Sequence, residues 1–388
     1  MFQTIKIFIK RVFLKIIREL ITLSTKQVKN RIIFMQESKC GSNSYALWKY
    51  SSKKVQNKYE LILHENVGDD SLDFFSYVKK HRELSSCKLI ITTHASYKPS
   101  KNHINFQLWH GCSTKKSGIM EFKEKQGFEI LWKKVDYIMS YSETYTTYLN
   151  AQMLSSPWKY IITGAPRNDF LFKSDGISNL IKIFGHDIKE KKIIFFLPTY
   201  RNYYGQNLGN KNIKNIFGFE NFSVQEFDNF LDLNQTKIIY KPHPHEEETL
   251  LRHFDNRPLN NVLILKNNDL KLNKIDLYEI VNASDIMITD YSSIFYDYLL
   301  LDKPIIFTPV DLLEYKKSRG FLVESFEIWA PGPLVYDQNN LQNEIKKSLN
   351  DKSYFKEKRD WMTNHHHRYK DGESSNRLWK FIDKIIDK

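Results

Sequence analysis

Eleven short apolar stretches, spaced by helical or polar segments, leave this chain few folds to adopt. Six lie in the first half: Arg31–Met35, Tyr59–His64, Lys88–Thr92, Ile104–Trp109, Val135–Ser140 and Tyr160–Thr163. After Leu171 and a polar connector come five more: Lys192–Leu197, Lys237–Tyr240, Val262–Leu265, Ile286–Thr289 and Pro304–Thr308. They are rich in β-branched and aromatic residues, as strands of a parallel sheet buried on both faces are. Helical stretches intervene, notably Val224–Leu231, Asp276–Ala283 and Ile294–Leu301. Two such series predict an α/β chain with two doubly wound, Rossmann-like domains facing a cleft. The expected division is residues 1–30 as an N-terminal helix, 31–175 as the first domain and 176–388 as the second, with a C-terminal helix. The last segment, Ser353–Lys388, reads as charged and helical with a break near Asp371–Gly372.

A chain of 388 residues is long enough for two cores. Hydrophobic residues at 41% and charged residues at 27% argue against disorder. The net charge of +13 favours anionic partners: nucleotide, phosphopolymer, nucleic acid or an acidic membrane face. Cys40, Cys87 and Cys112 are too scattered for a disulfide framework or a zinc pair, which fits a reducing compartment. Cys112 reads either as a nucleophile or as a small apolar residue in a turn. No stretch reaches the ~20 apolar residues of a membrane span. The N-terminus intersperses Lys6, Lys10, Arg11, Lys15 and Arg18 with Phe2, Ile5, Ile9, Phe13, Ile16 and Leu20 at helical spacing. Two readings fit it equally: a basic amphipathic helix on an anionic leaflet, or a helix packed on its own domain.

The chemistry gathers where strands end. His110 in QLWHGCSTKKSG and His243 in KPHPH each follow an apolar strand, one in each half, so both are expected at the cleft. His110 is followed by Gly111, which allows close backbone approach to a ligand, and by Lys115 and Lys116. A neutral imidazole there can accept a proton from an attacking hydroxyl; a buried histidine bonded to backbone is the alternative. FLPTYRN offers Thr199 and Arg201, and KPHPH offers Lys241, His243 and His245. ITDYSSIF offers Asp290, Ser292 and Ser293 where a helix begins, a setting suited to a diphosphate or to simple N-capping. The run His365–His367 cannot share one helix face and reads as a polar turn. Gly372, Ser375 and Arg377, before a helix expected at Arg377–Ile386, form a second anion contact or a cap.

With these motifs in this order (QLWHGCSTKKSG, GAPRNDFL, FLPTYRN, KPHP, ITDYSSIFYDYLLLDKPIIF with DLLEYKKSRGF, and DGESSNRLWKFI) the chain resembles the CDP-glycerol glycerophosphotransferase family, which primes and polymerises teichoic acids and related capsules. The likeness runs from Phe106 to Ile386. It implies a GT-B-like architecture, acceptor side first and nucleotide donor side second. It implies His110 as the base, and His243, Ser292 and Ser293 at the donor diphosphate, with Gly372, Ser375 and Arg377 on the donor phosphates. Cys112 and Ser113 depart from the Thr and Pro more usual there, and the first ~100 residues match no motif, which leaves the acceptor open.

The reaction this implies is transfer of glycerol phosphate from CDP-glycerol to a hydroxyl of a lipid-linked saccharide or growing polyol-phosphate polymer, with release of CMP. The expected location is the cytoplasmic face of the membrane, held peripherally at an anionic surface. No DxD-type metal cluster stands out; a divalent metal is neither required nor excluded. Rival readings keep the fold and change the donor to CDP-ribitol or a nucleotide sugar. A nucleic-acid-binding reading of the charge lacks any helix-turn-helix, RRM or zinc-finger pattern.

Overall fold

A computed structural model describes residues 2–36, 42–65, 71–94, 96–121, 132, 134–203, 206–207, 215–243, 246–248, 260–323 and 325–387. Each expected strand forms, within a residue or two at most ends. The first sheet contains β1 (Val28–Gln36), β2 (Glu60–Glu65), β3 (Cys87–Thr92), β4 (Ile104–Gln107), β5 (Tyr137–Ser140) and β6 (Tyr160–Ile162), in the order β2-β1-β3-β4-β5-β6. The second contains β7 (Lys192–Phe196), then, beyond a two-residue pair β8 (Asn202–Tyr203) and β9 (Gln206–Asn207), β10 (Thr236–Tyr240), β11 (Val262–Ile264), β12 (Ile286–Thr289) and β13 (Ile305–Phe307), in the order β11-β10-β7-β12-β13. All pairings within the two large sheets are parallel. Near-continuous burial of β3, β7 and β12, and of the second half of β1, explains why these strands read as apolar runs. The strand order reverses between β1 and β3 and between β7 and β12. Such reversals open a crevice at the carboxyl ends of the strands.

Three local departures matter. β4 ends at Gln107, two residues before the expected Trp109. Trp109 turns into the left-handed region with φ 51°, and its amide donates to the Gln107 side chain at 2.9 Å. The helix expected at Ile294–Leu301 is α-helical only over Ile294–Tyr298, tightening to 3₁₀ at Leu299–Leu301. The third departure is the histidine run. It does not form a polar turn: His365 and His366 close the helix Lys356–His366, and His366 and His367 are buried. His366 packs among Tyr296, Trp329 and Tyr148, and burial pushes its pKa down to about 3.

The helix Ser374–Ile386 returns to the first sheet. Trp379 stacks on Tyr59, meets Phe34 and donates to the Leu47 carbonyl at 3.1 Å. Phe381 sets its edge against Phe106 and Tyr137. This helix starts three residues before the expected Arg377, because the Asp169 carboxylate accepts from the amides of Ser374 and Ser375 at 2.9 and 2.8 Å. The cap is thus supplied by a residue 205 positions earlier in the chain. One buried apolar cluster runs from Phe34 and Phe106 through Trp379 to Tyr291 and Phe295 of the second half.

The N-terminal helix spans Phe2–Ser24. It lies against the helix Phe74–Ser86, with the Thr22 and Ser85 hydroxyls 3.0 Å apart and Tyr77 donating to the Leu14 carbonyl at 2.8 Å. Its outer face still leaves Phe13, Ile16, Leu20 and Leu23 exposed. Among the described residues no helix is long and apolar enough to cross a membrane.

Candidate active site

A cavity of about 320 Å³ lies where the strand ends of the two sheets meet. From the first half it is lined by Trp109, His110, Gly111, Ser113, Lys115, Ser117, Tyr145 and Gln152. From the second half come Pro198, Thr199, Tyr200, His243, Ser292, Ser293, Tyr315 and Arg319. The two histidines distant in sequence therefore face one space. Gly111 sits so close to the facing wall that a Cβ there would meet Ser293 Oγ at 3.0 Å, so any side chain at this position would have to push that hydroxyl aside by a few tenths of an ångström.

His110 is held by what surrounds it. Its Nδ1 lies 3.1 Å from the Thr93 carbonyl, an acceptor only, so Nδ1 carries the proton and Nε2 keeps a free lone pair. The ring stacks on His94 at 4.1 Å and 6° and packs against Trp109 at 4.0 Å. Burial pulls its pKa well below the ordinary histidine value, and His94, Arg167 and Lys115 push the same way against the Thr93 contact. Solvent reaches the ring through the cavity mouth, which moderates the shift without reversing it: three neighbouring cationic or titratable groups disfavour an imidazolium. The result is a neutral imidazole. The His110 carbonyl accepts from Arg167 Nη1 at 2.7 Å, and the Gly111 carbonyl accepts from Tyr145 Oη at 2.5 Å. Arg167 in turn forms a buried ion pair with Asp297 of the second half.

The facing wall is built at the β7–β12 reversal. The Thr199 amide donates to Asp290 Oδ1 at 2.7 Å, tying the β7 loop to the β12 loop. Thr199 Oγ1 is buried at the cavity and has no hydrogen-bond partner among the described residues. The hydroxyls of Ser292 and Ser293 engage no described residue and are free for a ligand. The helix behind them is short, so these hydroxyls, Thr199 and His243 carry the anion argument better than a helix dipole does. His243 stacks on Tyr200 at 4.3 Å and 14°.

Not every expected residue reaches this cavity. Arg201 is buried behind the wall, pairing with Asp311 at 2.7 Å and Asp290 at 2.8 Å while stacking on Tyr291 and Tyr315. Asp290 is consumed by that pair and by the Thr199 and Tyr291 amides. Lys241 is buried, bonded to the Pro242 carbonyl and paired with Glu247 at 3.5 Å. Gly372, Ser375 and Arg377 sit on the first half, away from the cavity. Gly372 takes φ 66° against Phe172, Ser375 is capped by Asp169, and Arg377 pairs with Asp371 and stacks on Tyr369. Lys116 lies against Gly320 and does not line the cavity. Cys112 is fully buried, and burial and Asp297 hold its thiol protonated, which is unfit for a nucleophile. His245 and Cys40 lie outside the described residues. Among the described residues no group of three or more His, Cys, Asp or Glu is placed to hold a metal.

Sequence reasoning passed over His94, Tyr145, Arg167, Tyr200 and Arg319. His94 carried a usable signal, standing just beyond the end of β3 as His110 stands just beyond the end of β4. The other four announce themselves only through tertiary contacts, which for Arg167 and Arg319 join the two halves.

A family profile described as CDP-Glycerol:Poly(glycerophosphate) glycerophosphotransferase matches residues 20–384. The chain is 28% identical over 292 residues to the teichoic acid glycerol-phosphate primase of Bacillus subtilis (strain 168), covering 72% of this chain and 68% of that protein. It is also 28% identical over 292 residues to the teichoic acid ribitol-phosphate polymerase TarK of Staphylococcus aureus (strain NCTC 8325 / PS 47), covering 73% of this chain and 52% of that protein. The solved structure of the wall teichoic acid polymerase TagF superposes with a TM-score of 0.75 at 21% identity, covering 100% of this chain and 97% of that chain. At that identity the likeness speaks for the fold.

Proposed function

Since the chain belongs to the CDP-Glycerol:Poly(glycerophosphate) glycerophosphotransferase family, whose members transfer polyol phosphates, we propose that it moves glycerol phosphate from CDP-glycerol to a hydroxyl of a lipid-linked saccharide or a growing polyol-phosphate chain. The setting is synthesis of a teichoic acid or a related capsule. The observation that carries this reading is one cavity with a neutral His110 on one wall and Ser292, Ser293, Thr199 and His243 on the other. In GT-B terms the first half is the acceptor side and the second the donor side.

The diphosphate of the donor lies against Ser292, Ser293, Thr199 and His243. His110 Nε2 takes the proton of the acceptor hydroxyl. The oxygen forms a bond to the β-phosphorus, the bond from that phosphorus to the bridging oxygen breaks, and CMP leaves with the electron pair. Phosphoryl transfer depends chiefly on positioning and on stabilising phosphate charge. Arg201 and Asp290 act from behind by fixing the loop that carries Thr199. The exposed apolar stripe of the N-terminal helix, Phe13, Ile16, Leu20 and Leu23, with its basic neighbours, suits peripheral attachment to an anionic membrane face.

Purified protein given CDP-glycerol, CDP-ribitol or a nucleotide sugar distinguishes the readings by product. Polyol-phosphate transfer releases CMP, whereas glycosyl transfer releases a nucleoside diphosphate. His110→Ala should lower kcat by about 10²–10⁴-fold and keep CDP-glycerol affinity by calorimetry. Undiminished turnover would remove His110 from the reaction.

A further inference from the structure

The cavity carries more positive charge than the transfer step uses. Lys115 and Arg319 both line it, and they come from a different pair of loops than the serine wall. These loops pair as antiparallel backbone: the Lys116 amide donates to the Gly320 carbonyl at 3.1 Å and the Leu322 amide to the Thr114 carbonyl at 2.7 Å. Arg319 is fixed there by the Lys116 carbonyl at 2.7 Å and by Glu121 at 3.2 Å. Lys115 Nζ, half-buried beside it, has no hydrogen-bond acceptor or ion-pair partner among the described residues.

An ammonium withdrawn from water beside a guanidinium is unfavourable unless an anion joins it. Burial first, then Arg319, brings the Lys115 pKa down to about 7; Arg201 adds to this and Asp290 opposes it. The site is therefore preorganised, and an incoming anion would restore the charge that burial and Arg319 draw from Lys115. Lys115 also lies on the same loop as His110, five residues on, so a group it holds sits next to the attacking hydroxyl. We infer that Lys115 and Arg319 form an anion subsite for the phosphodiester immediately preceding the acceptor hydroxyl, so that the preferred acceptor already bears a polyol-phosphate unit. This rests on the transferase reading above and narrows its acceptor.

The test compares wild type, Lys115→Met and Lys115→Arg with CDP-glycerol and two synthetic acceptors that share a terminal hydroxyl. One acceptor carries a phosphodiester one glycerol unit back, and the other carries an uncharged ether there. For Lys115→Met, KM for the phosphodiester acceptor should rise about tenfold or more, the effect of losing one charged hydrogen bond. KM for the ether acceptor and the CDP-glycerol dissociation constant should stay within about twofold. Lys115→Arg should recover most of the loss, which a merely structural lysine would not show. Weakened CDP-glycerol binding with unchanged acceptor discrimination would assign the cations to the donor diphosphate and overturn the inference; so would no change in either. If wild type fails to bind CDP-glycerol, the transferase reading fails instead. Direct titration of the phosphodiester acceptor into wild type and Lys115→Met then still decides the subsite.

Discussion

Replacing Arg167 with Met should unsettle the molecule and the reaction by separate routes. The guanidinium sits over the Tyr278 ring at 4.8 Å, pairs with Asp297 and donates to the His110 carbonyl. The side chains of Arg167 and Asp297 are only 5% and 0% exposed, so water cannot replace either partner. With Arg167 gone, Asp297 keeps, among the described residues, the Tyr278 hydroxyl at 2.6 Å, and its Oδ1 has no partner among them. An uncompensated buried carboxylate costs about 3–5 kcal/mol. Arg167→Met should therefore lose that amount of unfolding free energy in the first transition of a denaturant titration. Adding Asp297→Asn removes the stranded charge and keeps the Tyr278 hydrogen bond, so the double variant should regain at least half the loss. Turnover should not return with it, because the His110 carbonyl still lacks its donor. Urea unfolding followed by tryptophan fluorescence, with CMP release measured on the same samples, separates the two effects. An Arg167→Met variant within about 1 kcal/mol of wild type would refute the stability argument. A double variant that recovers turnover along with stability would refute the positioning role.

Further outcomes follow from the same residues. Acceptor kcat/KM should be bell-shaped in pH. His110 must be neutral, and its lowered pKa places the acid limb below the ordinary histidine range; Lys115 must be charged, so its limb falls as pH rises through about 7. In Lys115→Arg the upper limb should disappear, and a profile identical to wild type would exclude Lys115 as its source. Phe13→Asp with Leu20→Asp should weaken binding to vesicles rich in anionic lipid by tenfold or more, since each buried apolar side chain contributes about 1.5–3 kcal/mol. Equal binding in a sedimentation assay would show that this stripe is not the membrane contact.

The strands were legible because burial on both faces leaves an unmistakable apolar run, and their ends pointed to the cavity. Which strand-end residue faces the cavity was not legible. Thr199 and Arg201 leave the same strand two residues apart, yet one lines the cavity and the other points back to Asp311, over a hundred residues on. Lys241 and His243 part in the same way. The tail motif misled for a related reason. Gly372 and Ser375 are shaped by Phe172 and Asp169, so their character belongs to a contact between distant parts of the chain. His366 and His367 look polar one residue at a time, but each ring bonds a carbonyl and packs in the interior, His366 to Met362 and His367 to Tyr296.

The return of the Ser374–Ile386 helix to the first sheet has a consequence for biosynthesis. Translation at roughly 5–20 residues per second leaves roughly 10–40 s between the emergence of Ile162 and that of Ser374. Throughout that interval the surface awaiting Trp379 and Phe381 stays bare on the ribosome. The nascent amino-terminal half cannot mature ahead of the rest, and a chain that stalls late would be exposed to proteases and chaperones at the end made first.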